Sequence, residues 1–451
     1  AVLFSGFVIK TMNYQEALEY LNELNKFGTK LGLDRIKRLV ELLDEPQLKY
    51  KTVHVTGTNG KGSVCAMVSE ILHQSGIRTG LYISPHLVSY TERIQIDGVA
   101  ISEEEFASCI GAVKTFADQM VDEGMESPTQ FEVLTATAFL YFAFKNVEYA
   151  VIEVGVGGLL DSTNVIVPEV SVITNVAFEH ADLCGGTLEG IAHHKAGIIK
   201  DGVPVVTDAK GTPLEILQQE AVEKNTDLFI EDTDFEAKFV SCDGKRQVLL
   251  FSSEIVGVSL EFSLSLLGDH QIRNCALALM TIYLLSSDEK RINFEATKAA
   301  LTNVKWPGRF ERFDTAGKMI IIDGAHNPAG MLVLRQNLDK YFHDNQRIFL
   351  LGMLRDKAID VMRNTLLRPD DIVIATEPDS KRMAEPASWA GKLNVKYVEI
   401  EPNRKMALDR AMRLTSGESL LCITGSLYLI GEIREMLRHI RNGEAEILND
   451  N

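Results

Sequence analysis

The chain has 451 residues, 45% of them hydrophobic and 24% charged, with a formal net charge of −17 at pH 7. At about 150 residues per domain this length exceeds one hydrophobic core and predicts two or three units. The acidic balance excludes the basic face of a nucleic-acid groove, and no run of about 18 apolar residues marks a membrane helix.

The opening AVLFSGFVI is apolar but has neither a basic start nor a small-residue cleavage site, so it does not read as a signal peptide. Residues 1–11 read as an extension ahead of a helix that follows Met12 in NYQEALEYLNEL. KTVHVT (51–56) is a β-branched strand that runs into a glycine turn. Val64, Met67, Val68, Ile71 and Leu72 then recur at helical spacing, with Gly76 where a C-cap belongs. RTGLYI (78–83), YAVIEV (149–154), VSVITNV (170–176) and VPVVT (203–207) are further continuous apolar strands. Helices are predicted near 103–122, 131–146, 188–199 and 213–224. Apolar strands alternating with helices predict a parallel α/β sheet covered on both faces. Residues 228–266 alternate apolar and polar and predict a small antiparallel sheet, followed by a helix over 270–286.

The pattern restarts near KWPGRFE (305–311). KMIIID (318–323), RIFLLG from 347, DIVIAT (371–376), KYVEI (396–400) and SLLCIT (419–424) predict a second, Rossmann-like α/β domain. The expected organisation is an extension at 1–11, a P-loop-type nucleotide domain at 12–304, a hinge at 305–309 around Pro307–Gly308, and a C-terminal domain at 310–451. Cys65, Cys109, Cys184, Cys242, Cys275 and Cys422 are scattered without CxxC spacing, as thiols of a reducing cytoplasm are.

TGTNGKGS (56–63) lies between a predicted strand and a predicted helix. Backbone N–H groups of such a turn face a phosphate chain, and Lys61 adds a cation. The spacing departs from GxxxxGK[ST], because Val55 stands at the first glycine position and Gly62 separates Lys61 from Ser63. Hard oxygen ligands for a metal are expected at neighbouring strand ends. Ser84 and Glu153 stand there, and so does His180, which taken alone more often fills a structural role. The shared placement of the three on strand exits of one sheet favours a site. Lys195 lies on the apolar face of a helix, where lysines usually snorkel to solvent, and physical reasoning leaves it unassigned. His193 and His194 are adjacent on that helix and cannot face one metal. Arg309 matches phosphate oxygens and Asp323 matches ribose hydroxyls, with an interdomain salt bridge as the alternative for each.

TGTNGKGS, ISPHL (83–87), EVGVGGLLDSTN (153–164), EHADLCGGTLEGIAHHKAGIIK (179–200), GDHQIRNCALAL (268–279), WPGRFE, DGAHNP (323–328), LGMLRDK (351–357) and TGSLYLIGEIR (424–434) occur in this order. From about residue 12 to 441 the chain resembles the folylpolyglutamate synthase/dihydrofolate synthase family, within the Mur ligase group. The resemblance implies a phosphate loop of Gly57, Thr58, Asn59, Gly60, Lys61, Gly62 and Ser63, with magnesium held through Ser84, Glu153 and His180. It further implies that Lys195 is carbamylated and helps to hold a second magnesium ion. Asn274, Arg309 and Asp323 would contact ATP, with His326 near the transferred phosphate. GTKLGLDRI (28–36), with Lys30, Leu31, Gly32 and Leu33, resembles the pterin-side loop, and Phe131 and Glu132 border that pocket. Leu160, Asp161 and Ser162 fall at the dihydropteroate-side contacts. Many members carry Arg where this chain has Leu159, which leaves open whether it performs both reactions or only chain extension.

The implied enzyme is a monomeric, cytoplasmic ADP-forming ligase. ATP phosphorylates a carboxylate of folate or dihydropteroate, and L-glutamate then attacks the acyl phosphate. Lys61, Lys195, Arg309 and His326 would serve the phosphoryl transfer, and domain closure would exclude water. The competing readings are a P-loop NTPase or phosphotransferase that needs no glutamate, a nucleotide-binding module without catalysis, and a peptidoglycan-precursor ligase. ISPHL and TGSLYLIGE favour the folate branch.

Overall fold

The computed structural model describes residues 2–4, 7–9, 12–179 and 182–441. The chain divides into two compact units, residues 1–265 with 269–304, and residues 266–268 with 305–451.

In the first unit a short antiparallel pair, β1 (Val2–Phe4) and β2 (Phe7–Ile9), precedes helices α1 (Tyr14–Leu24) and α2 (Asp34–Leu42). The main sheet begins with β3 (Lys51–Thr56), β4 (Thr79–Tyr82), β5 (Ile94–Ile96) and β6 (Val99–Ala100). It continues with β7 (Tyr149–Glu153), β8 (Val170–Ile173), β9 (Val205–Thr207) and β10 (Leu228–Ile230). The spatial order is β10-β9-β8-β3-β7-β4-β5-β6, parallel except for β5 and β6. That antiparallel edge departs from the wholly parallel expectation. Asp97 and Gly98, both at positive φ, make the two-residue turn that reverses the chain there.

The helices of this unit are α3 (Lys61–Gln74), α4 (Glu103–Asp122), α5 (Gln130–Phe144), α6 (Leu188–Ala196), α7 (Thr212–Glu223), α8 (Asp269–Leu285) and α9 (Phe294–Asn303). Ala150 and Ile152 of β7 share one buried cluster with Leu21 of α1, Leu39 of α2, Phe106 of α4 and Phe139 of α5. α3 covers the opposite face of β7, so both faces of the strand are dry, which is why its sequence shows no alternation. α5 is buried continuously from Glu132 to Phe142, and its apolar residues accordingly run all round the helix.

The predicted antiparallel sheet is β11 (Glu236–Cys242), β12 (Gln247–Ser253) and β13 (Val258–Leu264). Its expected first strand is split, because Leu228–Ile230 instead pairs parallel to β9. The break is a turn in which Asp234 Oδ2 accepts from Ile230 N and Asp232 takes a positive φ.

In the second unit the sheet order is β14-β15-β19-β16-β17-β18. These strands are β14 (Glu311–Thr315), β15 (Lys318–Ile322), β16 (Gln346–Leu351), β17 (Ile372–Ala375), β18 (Tyr397–Ile400) and β19 (Ser419–Thr424). β14 pairs antiparallel with β15 and the rest are parallel. The connecting helices are α10 (Pro328–Tyr341), α11 (Ile359–Leu366), α12 (Pro386–Trp389), α13 (Arg404–Leu414) and α14 (Leu427–Arg441).

Candidate active site

The loop after β3 depends on two glycines. Gly57 has φ +145°, and a Cβ there would lie 1.8 Å from Thr174 Oγ1. Gly60 has φ +87°, and its Cβ would lie 2.2 Å from Asn274 Oδ1 on α8. No other residue type meets both requirements. The loop is latched to the exit of β8: Thr58 N donates to Asn175 O (2.9 Å), and Asn59 N donates to Asn175 Oδ1 (3.0 Å). Thr174 Oγ1 donates to Asn59 O (2.6 Å). Thr58 and Asn59 thus use their amides to hold the loop. The first intrahelical bond of α3 is Val64 N to Gly60 O, so the amides of Lys61, Gly62 and Ser63 form the helix N-terminus offered to a phosphate. Lys61 Nζ bends over the loop to Gly57 O (2.9 Å) and Thr58 O (3.3 Å).

Strand order brings the other groups alongside. β7 lies next to β3, and β4 lies next to β7, so Glu153 and Ser84 leave the sheet beside the loop. Glu153 is 4% exposed, and its Oε2 accepts from Ser84 N at 2.9 Å. His180 lies outside the described residues. On the far side of the loop, Asp208 and Glu231 follow β9 and β10, and Arg273 donates to both at 2.9 and 2.8 Å. This pins the start of α8 and with it the neighbouring Asn274.

Lys195 departs from the snorkelling expectation, being 5% exposed. Burial, then the nearby charge of Lys61, pushes its ammonium pKa down to about 7, against an opposing pull from Glu179. The helix end that carries Lys195 is held by the GVGG turn. Leu159 N donates to His194 O (2.7 Å), and Asn164 Nδ2 bridges Leu159 O and Gly197 O at 3.0 Å each. A Cβ on Gly158 would stand 2.7 Å from His194 O, and one on Gly197 2.4 Å from Leu159 Cβ. The turn therefore clasps the last turn of α6, the helix that carries the lysine. Leu159, at the departure from the family pattern, packs on Gly197.

The pteroyl-side residues also converge. Gly32 N donates to Leu160 O at 3.2 Å, joining the loop at residues 28–33 to the segment after β7. Phe131 stacks on Tyr82 with ring centroids 6.1 Å apart and fills the space where a Gly155 Cβ would stand. Asp161 and Ser162 turn inward. Asp161 Oδ2 accepts from Val156 N (2.9 Å), and Oδ1 accepts from Thr163 N (3.0 Å) and Thr163 Oγ1 (2.6 Å). Burial raises the pKa of this carboxyl group despite those donors. Ser162 Oγ pairs with Thr135 Oγ1 at 2.8 Å. Asp161→Ala is therefore expected to cost roughly 1–3 kcal/mol of stability, from orphaned buried donors. A denaturant melt checks this, and an unchanged midpoint would contradict it.

In the second unit Arg309, Asp323 and His326 form one group. The turn Trp306–Arg309 closes through Arg309 N to Trp306 O (3.3 Å), with Gly308 at φ +70°. Asp323 leaves β15, and its carboxylate accepts from Phe310 N (2.8 Å) and Ala325 N (2.9 Å). Burial raises the Asp323 carboxyl pKa, while Arg309 is the foremost influence lowering it. His326 Nδ1 meets Gly324 O at 2.7 Å.

The chain is similar to known proteins along most of its length. Residues 55–282 match the Mur ligase middle domain, and residues 308–427 match the Mur ligase, glutamate ligase domain. A dihydrofolate synthase/folylpolyglutamate synthase of Bacillus subtilis is 31% identical over 442 residues, covering 94% of this chain and 99% of that protein. A Thermotoga maritima folylpolyglutamate synthase structure superposes with a TM-score of 0.85 at 37% identity, covering 94% of this chain and 96% of that one. A Mycobacterium tuberculosis folylpolyglutamate synthase complexed with ADP and AMPPCP has a TM-score of 0.81 at 31% identity, covering 94% and 99%. With both family domains in order and full-length relatives at this identity, the chain belongs to the folylpolyglutamate synthase/dihydrofolate synthase family of Mur ligases.

Proposed function

We propose that the chain is an ATP-dependent ligase that adds L-glutamate to folate, and to dihydropteroate if it carries both reactions, through an acyl phosphate. The observation that carries this reading is the alignment on adjacent strands β3, β7 and β4 of the Gly57–Ser63 loop, Glu153 and Ser84. A carboxylate oxygen of the acceptor attacks the γ-phosphorus of ATP as the bond to ADP breaks. The glutamate amine then attacks the acyl carbon, its proton passes to solvent, and phosphate leaves with the acceptor's oxygen. Lys61 and the amides of Lys61–Ser63 stabilise charge on the moving phosphoryl group.

Ser84 and Glu153 offer the hard oxygens that suit magnesium, and we assign His180 as a further ligand. The ion, when bound, shields the triphosphate charge. Lys195, with its pKa held near 7, carries enough neutral amine to take up CO₂, forming a carbamate with release of one proton. The carbamate's oxygens would complete a site for a second magnesium ion. Asn274, Arg309 and Asp323 are assigned to the nucleotide and His326 to the transferred phosphate. Lys30–Leu33, Phe131 and Leu160 border the pteroyl group, with Asp161 and Ser162 shaping the segment from within. Residues 12–304 are assigned as the nucleotide domain, 305–309 as its hinge and 310–451 as the partner domain.

We assign the chain as a cytoplasmic monomer. All six cysteines are unpaired thiols, and among the described residues no helix is long and apolar enough to cross a membrane. The test is phosphate release from ATP and Mg²⁺, with dihydropteroate or tetrahydrofolate as acceptor. Release is expected only when glutamate and an acceptor are both present, and the acceptor that works separates two activities from one. Release that ignores glutamate would replace this reading with an NTPase.

A further inference from the structure

Three chain segments meet at one guanidinium that no part of the proposed chemistry uses. Arg35 is the second residue of α2, and its side chain is 14% exposed. Its Nη2 donates to the Lys30 carbonyl at 2.9 Å, and its Nε donates to Glu132 Oε2 at 3.1 Å. Its Nη1 stands 3.5 Å from Glu126, which also accepts from Lys30 Nζ at 3.2 Å.

Glu132 links this fork to α5. Its Oε2 accepts from Thr129 N (2.7 Å) and Thr129 Oγ1 (2.9 Å), closing the capping box at the start of the helix that carries Phe131. Its Oε1 is buried and, among the described residues, has no hydrogen-bond partner. A buried carboxylate with one bare oxygen depends on the cation beside it. The far end of the loop at residues 28–33 is tied separately, by Gly32 N to Leu160 O. That loop has no regular structure, and Gly28 and Gly32 both sit at positive φ. Two backbone anchors therefore bear on its path, the Lys30 carbonyl on Arg35 and Gly32 N on Leu160, beside the ion pair of Lys30 with Glu126.

We infer that Arg35 is a positioning residue for the pteroyl acceptor, fixing the 28–33 loop against the N-terminus of α5 so that Lys30–Leu33, Phe131 and Leu160 hold one arrangement before the acceptor arrives. The inference rests on the proposed assignment of those segments to the acceptor. Arg35 touches no reacting atom. Its planar fork is required because it donates in two directions at once, toward a backbone carbonyl and toward a carboxylate. A lysine ammonium on a flexible stem does not reproduce that geometry.

The test is Arg35→Lys, which keeps the charge and the stem, compared with Glu132→Gln in the full chain. The KM for the acceptor is expected to rise about 10-fold or more in Arg35→Lys, and less in Glu132→Gln, with kcat and the KM for ATP within about twofold. Trypsin should cut faster after Lys30 in Arg35→Lys, and saturating tetrahydrofolate should restore protection. If Arg35→Lys loses its cooperative melting transition, Glu132→Gln carries the same kinetic test. Acceptor and ATP KM values that rise together with a lowered melting temperature would make the pair a structural brace and overturn the inference. Turnover with an unmoved acceptor KM would overturn it alone. Absence of acceptor-dependent turnover in the unsubstituted chain would overturn the functional reading and this inference with it.

Discussion

Lys195→Ala lowers kcat for glutamate ligation by about 10²-fold or more, and added short carboxylates restore part of it. The expectation follows from how the side chain is held. The GVGG turn covers the last turn of α6, Lys195 is 5% exposed, and its pKa is pushed down to about 7. An amine with an ordinary pKa of 10.5 would be almost wholly protonated at neutral pH and would take up CO₂ poorly. Below the folded pKa the amine is protonated and cannot form a carbamate, so activity rises with pH through about 7. Lys195→Arg separates a carbamate from a simple cation. Arginine keeps the positive charge and cannot be carbamylated, so it should be as inactive as alanine. Activity in stripped, CO₂-free buffer should fall and return with bicarbonate. Full activity of Lys195→Ala, or arginine acting as a good substitute, would contradict the carbamate.

Gly60→Ala is expected to weaken ATP binding by about 10²-fold or more, with the cooperative melting transition retained. The added Cβ would lie 2.2 Å from Asn274 Oδ1, at a φ of +87° that L side chains rarely adopt. Gly57→Ala is harsher, with the Cβ 1.8 Å from Thr174 Oγ1 and φ at +145°. Backbone strain of this kind costs about 1–3 kcal/mol at each position, before any collision is relieved. The collision moves the loop, and with it the amides at the start of α3. ATP affinity should therefore fall by about 10²-fold or more, since small displacements of positioned groups carry penalties of that size. A double variant apportions the effect. Asn274→Gly removes the atom struck in Gly60→Ala together with a side chain assigned to the nucleotide. Gly60→Ala should therefore cost less ATP affinity in the Asn274→Gly background than in the unsubstituted chain, by the amount owed to collision rather than to φ. Isothermal titration with AMPPCP gives both numbers. Near-normal affinity in Gly60→Ala would show that the loop is not where the triphosphate sits.

How much was legible beforehand varied with the range of the interaction. The strand, loop and helix over 51–74 were readable because their signals are local: a β-branched run, closely spaced glycines and a helical apolar stripe. Glu153 and Ser84 could be nominated as strand ends, but their pairing depends on β7 lying next to β4, and such pairing leaves no local trace. The residues of IAHHKAGIIK leave Lys195 unassigned, because nothing in that string announces that Leu159 and Asn164 bond back onto the backbone of its helix. Asp161 was expected to face a ligand, yet its carboxylate serves three donors in its own turn, an arrangement set by local backbone geometry beyond what residue type shows. Leu228–Ile230 was drawn into the antiparallel sheet by its polar neighbours, although a parallel partner was available in β9. Arg35 stood in plain view within GTKLGLDRI, but its partner Glu132 lies 97 residues away.

If an acceptor carboxylate takes the phosphoryl group before glutamate attacks, one of its oxygens must leave with phosphate. The most direct measurement uses a pteroyl acceptor labelled with oxygen-18 in its reacting carboxylate and analyses the released phosphate by mass spectrometry. One labelled oxygen should pass into phosphate for each amide formed. Phosphate that takes its fourth oxygen from solvent, the other three coming from ATP, would contradict it and leave an ATPase in place of a ligase.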